Sequence, residues 1–165
     1  MTLVDGLIMW FHLICASIWV GGSIFLGIVL APMLKTITKT IEERVSLMIK
    51  IGRRFNKIAI PSLGILIMTG IYNSRLFFME PSALFSSNYG KVLFIKILLV
   101  IATIIVYIMH TRLLNIGIER KLASETTGSV FILSVRSKVL YLGRITVILS
   151  VAILLAAALL VSGGL

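Results

Sequence analysis

Residues 6–34 read GLIMWFHLICASIWVGGSIFLGIVLAPML and contain no charged side chain. As an α-helix, these 29 residues would be about 43 Å long, which exceeds the roughly 30 Å hydrocarbon core of a bilayer. Only helices and closed barrels satisfy their backbone hydrogen bonds within lipid, and this stretch is too long for a barrel strand. It therefore predicts a transmembrane helix that tilts or protrudes from the bilayer.

Three further apolar stretches follow the first one. They run from Ile58 to Ser74, from Val92 to Thr111 and from Ile145 to Leu165. The 165-residue chain is 59% hydrophobic, whereas soluble domains contain roughly 45–50% apolar residues. We predict one all-α domain over residues 1–165, an integral membrane four-helix bundle with helices at about 6–34, 58–76, 92–113 and 139–163.

The connection between the first two stretches carries its own helical pattern. Ile41, Val45, Met48 and Ile51 recur at helical spacing among charged residues. Because apolar residues at this spacing lie on one side of a helix, the pattern predicts that the first two helices extend beyond the membrane.

The charges indicate how the bundle is oriented. The chain has 16 Lys and Arg and 6 Asp and Glu, a net charge of +10. Seven of the cations lie within residues 35–57 and six within 112–144, whereas the middle connection holds only Arg75 and Lys91. Basic connections face the cytoplasm, so we predict a multi-pass cell-membrane protein with both termini outside. This alternation between connections argues against a nucleic-acid-binding surface.

Three ionisable residues lie inside the apolar stretches, namely His12, Lys96 and His110. Such residues are costly in lipid and are functional candidates by default. Asp5 and Lys91 mark the outer boundaries of the first and third helices, and they put His12 and Lys96 at similar depth. His110 lies 14 residues beyond Lys96, about 21 Å along the helix. Two ligands of one haem iron are only about 4 Å apart, so the pair that could share an iron is His12 with Lys96.

Other side chains share a face with these residues. Trp19 lies seven residues after His12, and Gly22 would allow close approach of a helix or a flat ligand. Thr103 and Tyr107 form one polar stripe with Lys96 along the third helix. We therefore take Trp19, Gly22, Thr103 and Tyr107 as candidate cofactor-binding residues alongside His12 and Lys96.

A second candidate site uses soft ligands. Met9, His12 and Cys15 follow one another at three-residue intervals, and thioether, imidazole and thiolate groups suit copper. Cys15 is the only cysteine, which excludes an intrachain disulfide and a zinc-finger pattern. Methionine and cysteine are also ordinary fillers of apolar cores.

The ionisable residues also have structural interpretations. His12 could be a core histidine that bonds to a hydroxyl of the second or fourth helix, and Lys96 could extend its ammonium group to water. His110 lies close to Arg112, so we expect a solvated histidine at the interface. Thr103 and Tyr107 could simply hold helices together.

Three segments together resemble the copper-resistance protein D family. The first helix contains FHLICASIWVGGSIFLGIVLAPML, with a histidine followed by a Trp-x-Gly-Gly step. RRFNKIAIPSLGILIMTGIY resembles the second helix, and SSNYGKVLFIKILLV resembles the start of the third. This resemblance implies a copper ion transport or resistance protein.

The same pattern resembles the HemJ-type protoporphyrinogen oxidases, haem b proteins in which a first-helix histidine and a third-helix lysine are implicated. His12 and Lys96 occupy those positions. This second resemblance implies haem b binding through His12 and Lys96, in agreement with their similar depth. Our leading hypothesis is therefore a haem b protein that acts in electron transfer, as a homo-oligomer or part of a larger membrane redox complex. Copper transport through Met9, His12 and Cys15 is the alternative, and a HemJ-like oxidase is a further one.

Overall fold

The computed structural model describes residues 2–75, 82–113 and 129–163. Every regular element in these ranges is helical: α1 (Leu3–Ile24), a π-helical turn (Phe25–Leu30), α2 (Ala31–Ile37), α3 (Ile41–Asn73), α4 (Ala83–Ser86), α5 (Asn88–Leu113) and α6 (Ser129–Val161). Within the described ranges, four continuous helical stretches are long and apolar enough to cross a membrane: Leu3–Ile37, Ile41–Asn73, Asn88–Leu113 and Val130–Val161. The predicted all-α membrane fold is confirmed.

The first membrane-spanning stretch has a defined start and one irregular turn. Thr2 and Asp5 form a reciprocal cap, in which the Thr2 side chain accepts from the Asp5 N–H and the Asp5 carboxylate accepts from the Thr2 N–H. This cap satisfies backbone donors that have no partner within the helix. The π-helical turn ends at Leu30, two residues before Pro32, whose nitrogen cannot donate a hydrogen bond. The wider turn accommodates that missing bond without ending the helix.

The helices are longer than the apolar stretches from which they were predicted. α3 begins at Ile41 rather than near residue 58 and ends at Asn73, and α6 begins at Ser129 rather than near residue 139. The N–H of Glu43 donates to the Thr40 side chain, which caps α3. The helical extension predicted from the spacing of Ile41, Val45, Met48 and Ile51 is therefore confirmed for α3.

A small apolar core accounts for these extensions. It consists of five buried residues on α3 and α6: Val45, Ile49, Ile132, Val135 and Val139. Since the two helices bury these side chains against each other, the basic connection becomes ordered helix beyond the apolar stretches.

The rest of the bundle is joined by side chains from several helices. α1 packs mainly against α3, and α5 packs mainly against α6. A second core, formed by Trp19, Val20, Ala59 and Tyr107, connects α1, α3 and α5. Large apolar side chains cover the outside of all four long helices, as lipid requires.

A polar cluster fastens the start of α1 to the end of α3. The Tyr72 hydroxyl donates to the Asp5 carboxylate at 3.0 Å, and Arg75 lies 3.5 Å from the same carboxylate. The Arg75 guanidinium also lies over the Tyr72 ring, 4.2 Å from its centre. These contacts hold α1 and α3 in the register that brings the residues described next together.

Candidate functional site

His12 on α1 is hydrogen-bonded to Thr69 on α3, with 2.7 Å between Nδ1 and Oγ1. The Thr69 hydroxyl donates its only hydrogen to the carbonyl of Ile65 at 2.7 Å. When Thr69 donates to Ile65, its oxygen accepts from Nδ1, and a neutral His12 ring then has its lone pair on Nε2.

This hydrogen bond has two consequences for His12. The bond to a hydroxyl of the second membrane-spanning helix, which the sequence offered as a structural interpretation, is present. The same bond is also typical of metal-binding histidines, whose second nitrogen donates to a nearby oxygen that fixes the tautomer and orients the ring. Its neighbour Gly70 leaves room for the ring, since a Cβ there would lie 3.8 Å from His12 Cε1.

Lys96 on α5 is partly buried. A haem iron shared between Lys96 and His12 stays a prediction.

Trp19 and Tyr107 pack against each other about two helical turns from His12, towards the basic end of the bundle. Their rings meet edge to face, with the centres 4.7 Å apart. The Tyr107 hydroxyl donates to Asn56 Oδ1 at 2.8 Å. α1, α3 and α5 are thus connected through one aromatic pair and one hydrogen bond, in the preferred geometry for aromatic rings.

Sequence analysis missed Asn56. It lies between Arg54 and Lys57 in a segment that was assigned to the basic connection. The signal that could have found it is its position three residues before the buried Ala59, on the same continuous helix.

The remaining candidate cofactor residues contact other parts of the protein. Phe55 packs directly against Gly22, so that a Cβ at this position would overlap the ring. Thr103 is buried and donates to the Leu99 carbonyl at 2.8 Å. Gly22 therefore allows α1 and α3 to pack closely, and the Thr103 hydroxyl has its hydrogen-bond partner within α5. Roles for Trp19, Gly22, Thr103 and Tyr107 in binding a cofactor stay predictions.

The soft ligands Met9, His12 and Cys15 do not all face the interior of the bundle. Cys15 is a free thiol that is 5% exposed, whereas Met9 is 41% exposed. At about 100° per residue, the three residues span roughly 120° of the helix circumference. His12 and Cys15 therefore face the interior, and Met9 lies at the lipid-facing edge. Within the described part of the chain, no group of three or more His, Cys, Asp or Glu residues could hold a metal ion.

The expectation of a solvated His110 is wrong. Its Nε2 is buried and has no hydrogen-bond partner among the described residues. The reason is the extension of α3 and α6, whose residues surround a cavity of about 290 Å³ that His110 also lines. The extended helices thus cover a position that the apolar stretches alone would have left at the surface.

The model of the family described as copper resistance protein D matches residues 49–160. The chain is 28% identical over 126 residues to the copper transport protein CutJ of Bacillus subtilis (strain 168), an alignment that covers 74% of this chain and 22% of that protein. It is 34% identical over 77 residues to an uncharacterized protein of Aquifex aeolicus (strain VF5), covering 46% of this chain and 52% of the relative. This chain thus spans about a fifth and about half of these relatives. No solved structure matches.

Proposed function

The chain belongs to the copper resistance protein D family, and from this premise we propose that it is a multi-pass membrane protein that moves copper ions. The copper ion is the cargo, and His12 is its first ligand. The similarity to the copper transport protein of Bacillus subtilis supports this choice over the electron-transfer interpretation.

The observation that carries the proposal is the 2.7 Å hydrogen bond between His12 Nδ1 and Thr69 Oγ1. With Nδ1 as the donor, this bond leaves the Nε2 lone pair to a metal and holds the ring in place before the metal binds. Cys15 lies one turn further along the same helix, where side chains three apart have Cβ atoms about 5–6 Å from each other. A thiolate and an imidazole on one helix face suit Cu(I), which prefers soft ligands.

Haem b in an electron-transfer protein is the second candidate, because the imidazole of His12 and the amine of a neutral Lys96 can both ligate iron through nitrogen. The surrounding residues do not fit a flat macrocycle. Trp19 packs on Tyr107, and Phe55 covers Gly22, so the side chains expected to border haem occupy one another's space. A HemJ-like oxidase activity, which requires haem, is disfavoured for the same reason.

Copper binding by the purified chain tests the proposal. We expect one Cu(I) per chain, measured by competition with a chromogenic chelator, and loss of that ion in His12→Ala. Thr69→Val preserves volume but removes the oxygen that orients His12, so it should weaken Cu(I) binding about 10–100-fold. Thr69→Ser restores that oxygen and should recover the affinity.

Ser62→Ala is the matched control for the Thr69 variant. Ser62 lies seven residues before Thr69 on α3, and its hydroxyl donates to the Ile58 carbonyl. Its removal should leave Cu(I) affinity unchanged. Equal Cu(I) binding by the wild type and His12→Ala would overturn the proposal. So would stoichiometric porphyrin bands in a dithionite-reduced minus oxidised absorption spectrum, which would favour haem.

A further inference from the structure

The cavity at the basic end of the bundle does not include His12, Cys15 or Thr69, although Phe55, Asn56 and Tyr107 line it. Residues of α1, the π-helical turn, α2, α3, α5 and α6 form its wall, and its volume is about 290 Å³. Much of its wall is aliphatic, including Leu26, Leu30, Ile51, Val139 and Leu140. A π-helical turn in the wall is itself notable, because such turns occur frequently at functional sites.

Polar and charged side chains also line this cavity. His110 contributes the buried Nε2 that has no partner among the described residues. Lys35 and Arg144 line the cavity and are also exposed, so their charges can reach a headgroup at its mouth. None of the described residues that line the cavity is acidic. A buried polar atom without a partner is costly, so a ligand that supplies one gains binding energy there.

The charges decide which class of ligand fits. Two cations with no counter-charge among the described lining residues disfavour a metal ion and favour an anion. The volume is about twice the ~150 Å³ apolar cavity that holds one benzene, which corresponds to roughly a dozen carbon atoms. An aliphatic wall of this size beside two cations suits part of an acyl chain attached to an anionic headgroup.

We propose that this cavity binds one anionic phospholipid, drawn from the leaflet that contacts the basic ends of α2, α3 and α6. Its phosphate lies between Lys35 and Arg144 and accepts a hydrogen bond from His110, while the upper part of one acyl chain fills the aliphatic pocket. This site is distinct from copper transport and does not depend on it.

Two glycines make a matched test possible. Gly143 lines the cavity, and a Cβ there meets no atom within 4 Å. Gly64 on α3 is equally unobstructed, is exposed and does not line the cavity. Gly143→Leu therefore fills the proposed site without a clash at Cβ, and Gly64→Leu adds the same side chain elsewhere.

Native mass spectrometry of the purified full chain, titrated with phosphatidylglycerol, phosphatidylcholine or laurate, measures the binding. We expect one phosphatidylglycerol per wild-type chain and at least tenfold weaker retention of phosphatidylcholine. Gly143→Leu should lower phosphatidylglycerol affinity at least tenfold, and Arg144→Gln or His110→Phe several-fold. Gly64→Leu and Lys50→Gln, which removes an exposed cation that does not line the cavity, should bind as the wild type does.

Thermal unfolding shows whether a variant that binds less lipid is still folded. Phosphatidylglycerol should raise the melting temperature of the wild type and Gly64→Leu, but not that of Gly143→Leu. Equal lipid binding by both leucine variants would overturn the proposal, since it would mean that lipid coats the basic surface rather than entering the cavity. Preference for laurate over phosphatidylglycerol would also overturn it, because a free fatty acid would then be the ligand.

Discussion

Gly22 lets α1 and α3 pack closely because it has no side chain. The Phe55 ring lies against its backbone, on the face of α1 that also carries the buried Trp19. Without a hydrophobic driving force between helices in lipid, close packing of this kind stabilises their association. The neighbouring Gly21 is exposed, and a Cβ there meets no atom within 4 Å.

Gly22→Ala should therefore destabilise the protein. The added methyl group must displace Phe55, and overpacking of this kind costs about 1–3 kcal/mol. Thermal unfolding in detergent, followed by circular dichroism, measures the change. Gly21→Ala is the control and should be neutral or raise stability by about 0.5–1 kcal/mol, because alanine favours a helix over glycine. Equal effects of the two substitutions would contradict the packing role of Gly22.

His12 and Thr69 differ in how far sequence could identify them. His12 was a candidate because an imidazole within an apolar stretch is unusual. Its partner was uncertain, since 57 residues separate it from Thr69 and several other hydroxyls lie in the apolar stretches. The pairing of α1 with α3 decides which hydroxyl contacts the ring.

At the scale of the helices, the extension of α3 and α6 alters the basic end of the bundle. Ile49 on α3 is 0% exposed and belongs to the core that includes Ile132, Val135 and Val139 on α6. This core lies beyond the apolar stretches, so it orders the helices by burial rather than by contact with lipid.

Ile49→Ala should lower stability by about 2–5 kcal/mol, because it removes a fully buried side chain and leaves a cavity. Ile60→Ala on the same helix is the control, since Ile60 is 55% exposed on the outside of the bundle, and its effect should stay within about 0.5 kcal/mol. Denaturant or thermal unfolding in a fixed detergent compares the two. A smaller loss for Ile49→Ala than for Ile60→Ala would contradict the role of this core.

At the scale of the whole molecule, the distribution of cations predicts that residues 35–57 face the cytoplasm and that both termini lie outside. Lys50 and Lys91 are both exposed and lie at opposite ends of the bundle. The only native cysteine, Cys15, is buried, so it should react little with a bulky reagent.

Labelling of intact cells with a membrane-impermeant maleimide checks this orientation. Lys91→Cys should react in intact cells, whereas Lys50→Cys should react only after the membrane is opened. The unsubstituted chain serves as the background control. Labelling of Lys50→Cys but not Lys91→Cys in intact cells would show the reverse orientation.

The membrane-spanning helices follow from the sequence alone, because lipid requires long apolar stretches and each stretch is recognised from its own consecutive residues. It also singled out His12, whose cost in lipid depends only on its own chemistry and position. The packing of the helices sets the remaining features: Thr69 is the partner of His12, Phe55 covers Gly22, and the Nε2 atom of His110 is buried beside a cavity. These features depend on which helices pack together and in what register, and in lipid that choice comes from the detailed fit of side chains rather than from hydrophobicity.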